Sequence, residues 1–141
     1  MNIKRLKAQL VQHEGIRLTP YRCEAGKLTI GIGRNLEDKG ISESEAHYLL
    51  ENDIFEVLLD LAGLFPEFFY FPEEIQIVLT DMRFALGGDG FREFEDMIGA
   101  VKDRDWPSMR AELIDSLWYR EVGRRGPNLV EMVDEVIGDD T

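Results

Sequence analysis

Cysteine occurs once in the 141 residues, at Cys23. A single thiol cannot close an intramolecular disulfide, and a thiol kept free fits synthesis in a reducing cytoplasm. Long apolar runs are missing as well. The N-terminus is basic at Lys4 and Arg5, but Lys7, Gln9, Gln12, His13 and Glu14 interrupt what would have to be a signal-peptide core. No stretch approaches the roughly 18 apolar residues of a bilayer span, so stable membrane insertion is not expected. Positive charge is scarce: 16 Lys and Arg against 28 Asp and Glu leave a formal net charge of -12. A surface of that sign repels phosphate backbones, which argues against nucleic acid as a partner. Histidine occurs only at His13 and His47, so no Cys/His cluster for zinc is available, and neither a metal nor a cofactor is expected.

What is present is a globular composition. Hydrophobic residues make up 44% and charged residues 31%, which is too apolar for a disordered chain and enough for the core of one domain. Ile3, Leu6, Leu10 and Val11 recur at helical spacing and predict a first helix over residues 2–13, stopped by Gly15. The pattern then changes. Tyr21-Arg22-Cys23 reads as a short strand, Glu24-Ala25-Gly26 as a turn, and Lys27 to Gly33 as the return strand with β-branched Thr29, Ile30 and Ile32. Ser42 and Glu45 form a capping box that opens a helix to about Leu61, ended by Gly63 and Pro66. Pro72 opens a helix striped by Ile75, Val78, Leu79, Met82 and Leu86, and Gly87-Gly88-Asp89-Gly90 reads as a break. Further helices are predicted over 91–101, from Trp106 through Leu117, and over 128–137, with Gly123 and Gly126-Pro127 as punctuation and a frayed tail at Asp139-Asp140-Thr141. The aromatic run Phe65 to Phe71 reads as a core-facing connection.

The expected fold class is therefore α+β and mostly helical: one domain over 1–141, with a small β-hairpin lobe over about 15–40 and a helical lobe from the remainder. A hairpin alone buries little. It must lean on helices, and the cleft so made is a natural ligand site. Glu14 sits where the first helix gives way to the hairpin. Cys23 and Thr29 fall on opposite strands, whose facing residues lie about 5 Å apart, so the two can share one mouth. Glycoside hydrolysis needs an acid for the leaving oxygen and a second group to place or activate water. Partial desolvation of a glutamate at a lobe junction would raise its pKa and keep that proton available near neutral pH.

His13-Glu14-Gly15, then Tyr21-Arg22-Cys23, then Gly26 to Gly33 resembles the catalytic segment of the phage lysozymes of glycoside hydrolase family 24, which carry glutamate, aspartate or cysteine, and threonine at this spacing. Phe84-Ala85-Leu86-Gly87, Trp106, Ser116-Leu117-Trp118-Tyr119 and Arg124-Arg125-Gly126 resemble later segments of that family. The resemblance implies a lysozyme-like two-lobed fold. It implies cleavage, with inversion, of the β-1,4 bond between N-acetylmuramic acid and N-acetylglucosamine in peptidoglycan. It makes Glu14 the general acid, Cys23 and Thr29 the residues that hold or activate water, and Arg125 the residue that orients the acid; register adds Asn35 and Phe84 as substrate contacts. The expected setting is phage or prophage lysis by a monomer made in the bacterial cytoplasm and acting on the wall after release. Cys23 stands where many relatives have aspartate, Arg34 where a relative has histidine, and Ala85 where relatives often have an amide; the segment from Arg34 to Ser42 is short. Those departures keep two alternatives open, a lysozyme-like module that binds glycan or protein without turnover and a component of a phage particle.

Overall fold

A computed structural model describes residues 1–139. Of the tail expected to fray, Asp139 closes the last helix, while Asp140 and Thr141 lie outside the described residues. The chain forms two compact units, Met1–Leu49 and Leu50–Thr141. The fold class is α+β and mostly helical, as the sequence predicts.

In the first unit, the Asn2 side chain accepts a hydrogen bond from the Arg5 amide at 2.9 Å and caps α1 (Ile3–Glu14). Gly15 ends the helix with a φ of 74°. An antiparallel sheet follows, β1 (Arg17–Arg22), β2 (Leu28–Gly31) and β3 (Arg34–Asn35), in the order β1-β2-β3. The first strand starts earlier than Tyr21 and stops before Cys23. The return strand is shorter than expected, because Gly31 and Gly33 take φ values of 70° and 66° and turn the chain into β3. The expected hairpin is thus a three-stranded sheet. Arg17 opposes Gly31 and Tyr21 opposes Thr29, with the register slipping between them. Pro20 lies in the slipped stretch, where its missing N–H costs no ladder bond.

The capping box forms as predicted: Ser42 N donates to Glu45 Oε1 at 2.9 Å, and Glu45 N donates to Ser42 Oγ at 3.1 Å. It opens α2 (Glu43–Leu64), which runs one turn past the expected end and takes Gly63 inside it. Arg34 grips the same Glu45 with both Nη atoms at 2.8 Å and donates to Gly40 O at 3.3 Å. This fork pins the short segment between β3 and α2. The Arg34 guanidinium, helped by the Ser42 amide and hydroxyl, pulls the Glu45 carboxyl down to about 2.

The second unit contains the core. Val57 and Leu61 of α2 pack with Phe65, Phe68 and Phe71, and with Ile75, Val78, Leu79 and Met82 of α3 (Glu73–Arg92). Phe71 meets Phe65 and Trp106 edge-on at 5.9 and 5.6 Å, so the aromatic run does face the core, apart from exposed Phe69 and Tyr70. The glycine run holds the expected break, confined to its first residue. Only Gly87 leaves helical geometry, at φ 77° and ψ 171°, and helix resumes through Gly88-Asp89-Gly90 to Arg92. Asp60 of α2 braces the kink: its carboxylate binds Arg83 at 2.6 Å before it and Arg92 at 2.7 Å after it. Beyond lie α4 (Glu95–Lys102), α5 (Trp106–Asp115), α6 (Leu117–Glu121) and α7 (Arg125–Asp139). The helix expected from Trp106 through Leu117 is split at Ser116, whose hydroxyl donates to Leu113 O at 2.7 Å and accepts from Tyr119 N at 3.1 Å. Gly126 and Pro127 lie inside the first turn of α7, where proline's missing donor is harmless, so that helix starts before Asn128.

Exposed ion pairs contribute about 0–1 kcal/mol and breaking buried ones costs about 3–5 kcal/mol. Asp60, with a side chain 27% exposed between two guanidiniums, falls between these limits. Asp60→Asn is expected to cost about 2 kcal/mol in denaturant titration; a loss under about 0.5 kcal/mol would remove the pin from the account of the kink. For Glu45, the unfolded chain takes up a proton near 4.5 and the folded chain only near about 2. The stabilisation is therefore complete above the first value and decays as pH falls toward the second. Glu45→Gln should flatten that part of the acid-unfolding curve; an unchanged acid limb would show that the fork does not govern it.

Candidate active site

The three residues singled out for chemistry all lie in the first unit. Glu14 is the last residue of α1 and is exposed, where a partly desolvated acid is expected. Its side chain rests on the turn after β2: a Cβ added at Gly33 would stand 2.7 Å from Glu14 Oε2 and 3.0 Å from Cδ. Only a residue with no side chain allows the carboxylate that close.

Cys23 follows β1 directly and is half-buried. Its amide donates to Lys27 O at 3.0 Å, and its carbonyl accepts from Gly26 N at 2.8 Å, which closes the turn through Gly26 at φ 80°. The turn folds amides over the sulfur. The Lys27 amide above all, then the Ala25 amide, hold the thiol below its ordinary pKa; slight burial opposes them, and the Thr29 hydroxyl and the cysteine's own amide act with them. Thr29, in β2, is 4% exposed and donates to Lys27 O at 2.8 Å. It opposes Tyr21 on one side and Asn35 on the other. Side chains alternate along strands, so Tyr21, Thr29, Asn35 and, two residues beyond Tyr21, Cys23 share one face of the sheet. Thiol and hydroxyl are thus brought together, whereas Glu14 meets the sheet at Gly33.

Asn35 is committed within its own turn. Its carbonyl oxygen accepts from Asp38 N and its amide nitrogen donates to Asp38 Oδ2, both at 3.0 Å. Each group keeps one further hydrogen-bonding valence.

Arg125 and Phe84 belong to the second unit. Arg125 opens α7 and its Nε donates to Asp81 Oδ1 at 2.6 Å. It shares with Asp81 and half-exposed Phe84 a hollow of about 400 Å³ walled by Leu50, Ile54, Leu58 and Ile77. Such a wall suits aliphatic side chains better than sugar hydroxyls. Sequence reasoning missed Asp81 because 44 residues separate it from Arg125. It also missed the Glu14–Gly33 contact, although two glycines closing a β-branched strand were a signal of close approach. Among the described residues, no group of three or more His, Cys, Asp or Glu could hold a metal ion, and no helix is long and apolar enough to cross a membrane.

Comparison with known proteins adds two findings. The sequence profile of a family described as phage lysozyme matches residues 11–132. The pre-baseplate central spike protein Gp5 of Enterobacteria phage T4 is 24% identical over 152 aligned positions, which cover 88% of this chain and 26% of that protein. The chain thus spans about a quarter of the length of that relative.

The geometry around the thiol is testable without any substrate. Cys23 is expected to react with iodoacetamide at neutral pH faster than free cysteine, and its rate–pH midpoint should lie lower. Thr29→Val, which keeps the shape and removes the hydroxyl, should move that midpoint up. A midpoint at or above that of free cysteine would mean that the amides of the turn do not face the sulfur.

Proposed function

The chain belongs to the phage lysozyme family, and from that premise we propose that it is a muramidase, hydrolysing the β-1,4 bond between N-acetylmuramic acid and N-acetylglucosamine in peptidoglycan. The observation that carries this reading is geometric: one sheet puts the Cys23 thiol and the Thr29 hydroxyl on the same face, and the turn that follows its second strand seats the Glu14 carboxylate on Gly33.

In this reading Glu14 is the general acid. It gives its proton to the glycosidic oxygen as that oxygen leaves the anomeric carbon. A water molecule attacks the same carbon from the opposite face, and its proton passes to Cys23. Aspartate does this work in many relatives; a thiol can do it only if part of it is ionised near neutral pH, which is the direction in which the turn amides push. Thr29 is buried, so it acts as a positioning residue, holding the sulfur rather than the water. The sugar ring itself would cover exposed Glu14 and shield the proton transfer from bulk water. Arg125 is assigned the orienting role and Asn35 and Phe84 substrate contacts; Asn35 would use its two remaining valences.

Phage or prophage lysis is the expected setting. Similarity to a protein named as a central spike favours a second reading, in which the chain acts as part of a phage particle.

Purified protein incubated with peptidoglycan should release new reducing ends, and Glu14→Gln should lower the rate by about 10²–10⁴-fold. Cys23→Asp should remain active and Cys23→Ala should not. Release by neither wild type nor Glu14→Gln, with both still bound to the wall, would replace the enzyme by a binding module. A paired comparison isolates the acid's position. Gly31 and Gly33 share a positive φ, but nothing lies within 4 Å of a Cβ built at Gly31. Gly31→Ala and Gly33→Ala should lose similar stability, about 1 kcal/mol each, while only Gly33→Ala loses most of its turnover. Equal turnover in the two would detach Glu14 from the reaction.

A further inference from the structure

Charge is unevenly divided along the chain. Residues 1–49 carry 8 basic and 6 acidic side chains, and residues 50–141 carry 8 and 22. Part of this excess surrounds a groove of about 520 Å³ in the second unit, formed by the end of α3, the start of α4, α5 and α6. Its rim holds six carboxylates: Glu93, Glu95, Asp96, Glu112, Asp115 and Glu121. No lysine or arginine lines it, and none of the six has an ion pair among the described residues. Elsewhere in the same unit, Asp60, Glu67, Asp81 and Asp134 all have arginine partners.

The positions of these carboxylates matter as much as their number. Glu95 and Asp96 sit in the first turn of α4, where the helix dipole favours an anion. The opposite holds for three of the others. Glu93 is the C-cap of α3, Asp115 is the last residue of α5 and Glu121 the last of α6. Each adds a carboxylate to a helix end that is already negative. α5 has no basic residue in its last turn, Arg92 in the last turn of α3 is committed to Asp60, and Arg120 in the last turn of α6 makes no ion pair with Glu121 among the described residues. The floor between them is apolar and open. Phe94 and Trp118 stand edge to face at 6.3 Å, and Leu117 beside them is 65% exposed. An aromatic floor under a negative rim matches a cation on an aliphatic stem, by packing of the stem and by attraction of the ring faces.

We infer that this groove docks a basic amphipathic segment of a partner protein, with lysine or arginine heads on the six-carboxylate rim and apolar side chains on Phe94, Leu117 and Trp118. The inference does not depend on the muramidase reading; it concerns other residues, and a catalytically silent chain would keep it. It gives the large negative charge of this unit a local use, as charge complementarity that selects and orients a partner.

The test measures fluorescence anisotropy of a labelled lysine–leucine peptide of helical amphipathic spacing, added to the whole chain. Two triple variants with the same net charge are compared. Glu93→Gln/Asp115→Asn/Glu121→Gln alters the rim, and Glu51→Gln/Glu56→Gln/Glu131→Gln alters exposed positions outside it. The rim variant is expected to weaken binding about tenfold and the other less than about twofold. Because its substitutions remove anions from negative helix ends, the rim variant should melt no lower than wild type. Leu117→Ser provides a second variant at an exposed position and should also weaken binding. Three results would overturn the proposal: equal weakening by both triples, binding of leucine-free oligolysine as tight as that of the amphipathic peptide, or rim-dependent capture of a free amine-bearing wall peptide without capture of the amphipathic one.

Discussion

The carboxylate of Glu14 and the backbone of Gly33 occupy adjoining space with no room for a methyl group between them. The same glycine is required a second time by its own backbone, which takes a φ that other residues adopt only at a cost. Much of the first unit follows from that turn. It reverses the chain after β2 and starts β3, which places Asn35 opposite Thr29. It also delivers Arg34 to Glu45, and that fork fixes where α2 begins. The acid's seat, the third strand and the entry to the long helix are consequences of one tight reversal.

Polar contacts in the second unit hold elements that the core alone would leave loose. Asp60 binds two arginines placed on either side of the kink at Gly87, which ties together the two helical stretches that meet there. Asp81 engages Arg125 at the start of α7, and Gly126, the next residue, lies so close to the Tyr119 ring that a Cβ would come within 2.7 Å of it. Burial of the apolar core, including the aromatics around Phe71, provides the cohesion. The carboxylate pairs add fixed links between helices at that core's edge.

How much of this was legible in the sequence depended on the distance over which each signal acts. The helix periodicity, the Ser42–Glu45 box and the positive φ of Gly15 and Gly26 are local, and they were read within a residue or two. Cys23 and Thr29 are six residues apart across one turn, so their meeting was legible too. Boundaries failed where a tertiary partner overrules local preference. The break read over Gly87 to Gly90 falls at Gly87 alone, and nothing nearby announces that Asp60 clamps both flanks. Gly126-Pro127 read as an end, since glycine and proline mark either terminus of a helix and only packing on Tyr119 decides which. Arg125 was singled out by register alone, and its bond to Asp81 links two helices far apart in the chain and leaves no pattern in it. The third strand was missed because two residues are too few to show alternation.

The hydrogen bond from Thr29 to the Lys27 carbonyl has one more implication. A threonine hydroxyl has a single hydrogen, and here it is already given to Lys27. If the neighbouring sulfur loses its proton, that hydrogen is better placed on the anion, and the hydroxyl must swing toward it. The Lys27 carbonyl then keeps only the Cys23 amide as donor. Ionisation at the sulfur would therefore loosen the loop that favours it, and return of the proton would tighten the ribbon again.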